Sequence, residues 1–263
     1  MIGAGSLPNA SAVLAAIGAR VRSLNGRPRL LFAAFMGALA AAAFPPFQLW
    51  PLLLLGYAAL VLLIDGIRVG PRPYRAAAFT GWAFGFGHYL VGLHWVGYAF
   101  LVNPSEHAWQ LPFAAIFFPG GLALFYVGAC LLCVSAWKPQ ATRILIFAAI
   151  LGGAEYARGH VLTGFPWNLP GYGWGASLAV LQSASAIGVY GLSFLTLLFG
   201  ASLALLADGA VNKNAWRWPL AMLVLFAALW GAGAWRLTHA TNSEVPDVWL
   251  RIVQPDKIGR AHV

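Results

Sequence analysis

An all-α, multi-pass membrane fold is what this sequence predicts, and three observations predict it. Of the 263 residues, 60% are hydrophobic and 9% charged, with a mean hydropathy of +0.75. That balance leaves too little polar surface for a water-soluble domain of this length. The apolar residues fall into seven long runs, and a helix needs about 20 such residues to cross a bilayer. Lys and Arg outnumber Asp and Glu by 16 to 7, and they gather in the connections between alternate runs. This is the pattern of a topology signal, not of a nucleic-acid groove.

Residues 1–28 form a mixed N-terminal segment that ends in a basic cluster with Arg20, Arg22 and Arg27. The apolar patch 12–19 precedes its arginines and has no basic region before it, so an uncleaved first span is expected rather than a removed signal. Residues 29–237 form the membrane domain. Its first run, 30–44, stops at Pro45-Pro46, which cannot continue a helix. The second, 50–64, begins at a Trp suited to the aromatic belt and leads to Asp65, Arg68, Arg72 and Arg75. The third, 76–102, carries Gly81 and Gly85 four apart, a spacing that lets helix backbones approach closely in lipid. No strand precedes these glycines, so they are no phosphate loop. After the polar break 103–107 comes a fourth run, 109–137, interrupted by Pro112 and Pro119 and closed by Lys138 and Arg143. The fifth is 144–159, the sixth 178–207 and the seventh 218–237.

Summing basic residues by connection places Arg20, Arg22, Arg27, Arg29, Arg68, Arg72, Arg75, Lys138, Arg143, Lys213 and Arg217 on one side, with only Arg158 and Arg236 near spans on the other. The N-terminus is therefore expected in the cytoplasm and the C-terminal tail outside it. In the tail, 238–247 is linker-like and 248–254 (VWLRIVQ) alternates like a strand.

The stretch 155–174, EYARGHVLTGFPWNLPGYGW, differs most from its surroundings. A rise of 1.5 Å per residue from Arg143 sets Glu155 and Arg158 roughly 18 and 22 Å along the fifth helix, one turn apart on one face. Charges at that depth cost free energy and are functional by default. They serve either as a structural ion pair, or as a polar anchor for a lipid headgroup or for the following loop. Residues 161–174 are too apolar for water and too rich in Pro and Gly for a span, which argues for a re-entrant or interfacial segment. Trp167, Tyr172 and Trp174 suit a headgroup belt, but a belt does not account for the accompanying Gly164, Pro166, Pro170 and Gly171. Cys130 and Cys133 lie three apart inside the fourth run, where buried packing is the natural reading. His88 and His94 point to different helix faces and make poor co-ligands. His160 lacks a serine elbow or a metal motif around it, and no metal or cofactor site is expected.

Five segments, taken in order, are similar to one family. FPPFQLWP (44–51), GWAFGFGHYLVGLHWVGY (81–98), RGHVLTGFPWNLPGY (158–172) and IGVYGLSFL (187–195) resemble the membrane part of bacterial apolipoprotein N-acyltransferases. LRIVQPD (250–256) resembles the first strand of that family's nitrilase-like domain. His94 departs from the pattern, standing where a polar amide is expected before the Trp.

The seven apolar runs are expected to form about seven transmembrane helices, and the resemblance implies that they lie in the bacterial inner membrane, followed at 238–257 by a linker and the first strand of an α/β nitrilase-like domain in the periplasm. It implies a phospholipid acyl donor, a diacylglyceryl-modified lipoprotein acceptor, and no nucleic acid. It also implies a Glu, Lys and Cys triad in the periplasmic domain that neither Cys130 nor Cys133 matches. Residues 258–263, IGRAHV, read as translated sequencing-library adapter, so a truncated, inactive chain is expected. The substrate-side residues expected here are Glu155, Arg158, Phe165, Pro166, Trp167 and Tyr172. A small transporter coupled through Glu155 and Arg158, or a non-catalytic scaffold, are the alternatives.

Overall fold

A computed structural model describes residues 10–138, 140–208, 212–240, 247, 249–251 and 253. Ten α-helices are described: α1 (Ala10–Arg22), α2 (Gly26–Ala41), α3 (Trp50–Arg68), α4 (Pro73–Gly92), α5 (Pro104–His107), α6 (Leu111–Ala136), α7 (Arg143–His160), α8 (Leu178–Leu181), α9 (Ala184–Leu203) and α10 (Arg217–His239). The seven of 16 residues or more, α2, α3, α4, α6, α7, α9 and α10, match the seven apolar runs. Among the described residues, four segments are long and apolar enough to cross a membrane: Trp50–Arg68, Pro104–Ala136, Ala184–Asp208 and Arg217–His239.

Prolines open α3, α4 and α6 in their first turns, where the missing N–H would have had no helical partner. Pro112 therefore starts α6 instead of interrupting it, and Pro119 lies inside the helix without ending it. Neighbouring helices can compensate a lost backbone bond in this way. The third run is less continuous than its hydropathy suggests. Its helix stops at Gly92, and His94–Leu101 winds on as a 3-10 helix. The sixth run also divides, into α8 and α9, and α9 itself breaks at Gly188, whose φ of 67° is costly for any residue with a Cβ.

Six helices close a ring in the order α2, α4, α6, α7, α9, α3, and α10 lies outside it against α8 and α9. Within their most apolar windows, α3 is 67% buried and α10 only 17%, which makes α3 central and α10 peripheral. Lipid supplies no hydrophobic drive between helices, so close backbone packing must hold them. Gly81 faces the Tyr126 carbonyl and the Cys130 thiol of α6, Gly85 faces Ala123, and Gly87 lies on the backbone of Ala34 in α2. The packing face expected from Gly81 and Gly85 is thus the α4–α6 contact. Gly81→Leu is expected to destabilise the fold by about 1–3 kcal/mol or more through overpacking. Gly121→Ala, with nothing within 4 Å of the added carbon, is the matched control. Unfolding in mixed micelles distinguishes the two.

An ion network ties one end of the ring. Arg22 of α1 bonds Asp65 at 3.3 Å and Asp208 at 2.6 Å, and Arg143 of α7 bonds the same pair at 3.2 and 2.6 Å. The Trp137 indole N–H donates to Asp65 at 2.9 Å. Residues far apart in sequence thereby fasten α1, α3, α7 and the turn after α9. In the C-terminal tail, the expected strand 248–254 falls partly outside the described residues, and Trp249, Leu250, Arg251 and Val253 have no regular structure. Residues 258–263 also lie outside them.

Candidate functional site

At the opposite end of the ring from that network, α7 ends in Glu155, Arg158 and His160 and hands over to an irregular segment that returns to α8. Glu155 and Arg158 are 2% and 1% exposed. Two guanidinium nitrogens of Arg158 donate to one Glu155 carboxylate oxygen, Nε at 3.0 Å and Nη2 more closely. Nη1 donates to the main-chain carbonyl of Phe165. The Phe165 N–H in turn donates to the Arg158 carbonyl at 2.9 Å. The side chain that neutralises Glu155 also pins the loop, so the structural ion pair and the loop anchor are one arrangement.

Aromatic rings form the bed beneath it. The guanidinium carbon sits 5.1 Å from the Tyr89 ring centroid, within cation–π range. Tyr89 meets Tyr126 edge-on at 5.9 Å and His88 at 5.2 Å. The hydroxyls of Tyr57, Tyr89 and Tyr126 and both ring nitrogens of His88 are buried without a hydrogen bond of ordinary geometry. Sequence reasoning missed this cluster. Its signal was available in the lone hydroxyls and the single imidazole set inside apolar runs, where polar groups are rare and interior-facing.

The loop is shaped by a few local constraints. Gly164 takes a φ of 73°, and a Cβ there would strike the Gly159 carbonyl. Asn168 takes a φ of 55°, a region Asn tolerates, and its amide donates to the Gly92 carbonyl at 3.2 Å. The Gly171 N–H donates to Ser193 Oγ at 2.9 Å, close to the α9 backbone. Trp174 stacks between Trp50 at 4.6 Å and Phe226 at 4.5 Å, and its indole N–H donates to Thr196 Oγ1 at 2.8 Å. The loop is therefore fastened to α3, α4, α7, α9 and α10.

The expected site residues separate into two layers. Glu155 and Arg158 lie below, with the Arg158 guanidinium taken up by one Glu155 oxygen and by the loop. Phe165 is half-buried, edge-on to Phe118 at 4.9 Å. Pro166, Trp167 and Tyr172 lie above and are exposed, Trp167 by 53% and Tyr172 by 44%. Trp167 meets Trp95 edge-on at 5.7 Å. Exposed Tyr156 and His160 at the same end of α7 form a second aromatic group with the half-buried Tyr190 of α9, with Tyr156 stacked on His160 at 4.1 Å. This surface offers aromatic rings and few free charges. The free thiols Cys130 and Cys133 are 2% and 1% exposed within α6 and present nothing to this surface.

A family described as "Apolipoprotein N-acyltransferase N-terminal domain" matches residues 36–202. The chain is 42% identical over 246 residues to the apolipoprotein N-acyltransferase of Rhodopseudomonas palustris, covering 93% of this chain and 46% of that protein. It is 42% identical over 220 residues to that of Caulobacter vibrioides, covering 84% and 40%. Against that of Bradyrhizobium diazoefficiens it is 42% identical over 233 residues, covering 88% and 43%. The chain thus spans a little under half the length of the curated relatives it matches.

Proposed function

The chain belongs to the apolipoprotein N-acyltransferase family through its N-terminal domain, and from that premise we propose that it forms the membrane-embedded, lipid-side part of such an enzyme in the bacterial inner membrane. In this reading α2, α3, α4, α6, α7, α9 and α10 are seven spans. The end that holds Arg22, Arg143 and Lys138 faces the cytoplasm, by the excess of basic residues there. The loop 161–177 and the tail face the periplasm. The reaction moves an acyl chain from a phospholipid to the α-amino group of a diacylglyceryl-modified N-terminal cysteine. The family resemblance assigns its covalent step to a Cys thiolate, which forms a thioester and releases the lyso-phospholipid; the amine then attacks the thioester and frees the thiol.

The observation that carries the reading is the two-layered loop, with Trp167, Tyr172 and Pro166 exposed above and Arg158 and Glu155 fixing the backbone of Phe165 below. Rigid rings at the membrane surface orient a lipid ester without binding charge of their own, which is how positioning residues contribute to an acyl transfer. The transporter alternative calls for discontinuous helices in two repeated halves. Among the described residues one helix interior, at Gly188 of α9, has such a break.

The sequence has two cysteines, both buried in α6, so this chain by itself is expected to transfer no acyl group. Purified chain incubated with phospholipid vesicles and a diacylated lipopeptide should give no triacylated product by mass spectrometry; turnover would overturn that expectation. For the site, this chain is grafted in place of the corresponding part of the Rhodopseudomonas palustris relative. Trp167→Ala in that chimera is expected to lower kcat/KM by roughly tenfold or more, the effect of removing an aromatic anchor. Unchanged kinetics would remove Trp167 from the site.

A further inference from the structure

We propose that the first turns of α2 and α4 form a second lipid site, which binds the phosphate of an anionic phospholipid and lies at the end of the bundle opposite the exposed aromatic loop. Arg27, Arg29, Arg72 and Arg75 line one groove between these two helices, together with Gly26, Leu30 and Phe79. No described carboxylate pairs with any of the four. Asp65 and Asp208, the acids at this end, are committed to Arg22 and Arg143. Arg29 Nε is buried and has no hydrogen-bond partner.

The backbone adds to this charge. The helices α2 and α4, of 16 and 20 residues, both begin here, with no acid in the first turn and no side-chain cap. The first-turn N–H groups that remain beside Pro28 and Pro73, with the helix dipoles, favour an anion at the point where the arginines meet. The positive-inside tendency explains why arginines lie at this end, but does not require them to converge on two uncapped helix starts.

Charge alone does not distinguish a lipid from free phosphate, and the adjoining groove does. Leu30 and Phe79 also line an apolar groove of about 580 Å³ that continues along the same helices to Trp82, Phe86 and Val127. From Phe79 to Phe86 it runs roughly 10 Å along α4. Trp82 and Phe86 stack at 4.8 Å along it, and the Trp82 indole N–H is held by the Gly120 carbonyl at 3.2 Å. The Arg75 guanidinium carbon lies 5.7 Å from the Phe79 ring centroid, at the join between the basic and the apolar parts. A phosphate over an acyl chain matches that order, and basic pockets between spans on the cytoplasmic side bind anionic headgroups.

The site rests on the membrane reading but not on acyl transfer, so its test reads binding without turnover. The purified full chain is placed in phosphatidylcholine nanodiscs doped with phosphatidylglycerol, and lipids retained after release are counted by native mass spectrometry. Phosphatidylglycerol should be retained in preference to phosphatidylcholine. Arg27→Ala, Arg72→Ala and Arg75→Ala should each lower its retention by about fivefold, the weight of one arginine at a membrane surface. Arg68→Ala, which removes an equal charge at the same end outside both grooves, should leave it unchanged. Arg72→Lys should keep most of it, which controls for folding and topology. Trp82→Ala should weaken phosphatidylglycerol retention as well. Equal retention of the two lipids, an Arg68→Ala loss as large as that of Arg72→Ala, or displacement of phosphatidylglycerol by an equal concentration of inorganic phosphate would each overturn the proposal.

Discussion

Arg158→Ala is expected to destabilise the chain by about 3–5 kcal/mol, because it strands the buried Glu155 carboxylate without the cation that pairs with it. The loss has two parts that further variants separate. Glu155→Gln keeps an acceptor near Arg158 and leaves the Phe165 carbonyl bond in place, so it should cost less than Arg158→Ala. Replacing both, as Glu155→Leu with Arg158→Met, removes the charge problem and exposes the cost of losing the loop anchor alone. Such isosteric apolar replacements of buried pairs are often close to neutral in stability. The double variant is therefore expected to recover much of the stability yet leave the segment around Phe165 more open to protease than in the parent. Unfolding in mixed micelles reads the first quantity, and limited proteolysis of the loop the second. A loss below about 0.5 kcal/mol for Arg158→Ala, the range of ordinary surface substitutions, would mean that the pair is not as closed to solvent as its burial indicates.

What was legible in the sequence, and what was not, follows from the kind of interaction involved. Apolar runs are a local signal, and the seven runs reappear as the seven long helices because hydropathy is averaged over about 20 residues. The i,i+3 spacing of Glu155 and Arg158 fixed them on one helix face, and their pairing followed. Breaks within runs were harder to place. Gly92 and Gly188 end or bend helices where no polar residue intervenes, whereas Pro119 sits inside α6 without ending it. The long-range partners were out of reach. That Arg22 and Arg143 would share Asp65 and Asp208, that Asn168 would reach Gly92, or that Tyr89 would lie under Arg158 depends on which helices are neighbours around the ring. In lipid that order is decided by close packing at small residues such as Gly81 and Gly87, a signal that shows which face packs but not against which helix.

Trp174→Ala carries the second large effect, and it separates holding the loop from serving at its surface. Trp174 is 5% exposed, clasped between Trp50 and Phe226, while Trp167, seven residues earlier, is 53% exposed. Truncating a buried Trp costs about 3–5 kcal/mol, from the lost contacts and the cavity left behind. Trp174→Phe keeps a ring in the stack but loses the bond to Thr196, so it should cost roughly 0.6 kcal/mol, the average for side-chain hydrogen bonds between membrane helices, and no more than about 1.7 kcal/mol, the largest found. Thr196→Val removes the same bond from the other side. If the bond acts as described, Trp174→Phe and Thr196→Val together should cost less than the sum of the two alone. Trp167→Ala, by contrast, should stay within about 0.5 kcal/mol of the parent, even where it lowers acyl transfer in the chimera. If Trp167→Ala destabilised the fold as much as Trp174→Ala, its kinetic effect would be one of folding, and the exposed ring would lose its claim to the lipid. If instead the two effects divide as the burial of the rings divides, the segment from Phe165 to Trp174 acts as one rigid strip, with its fastening at Trp174 and its working face at Trp167.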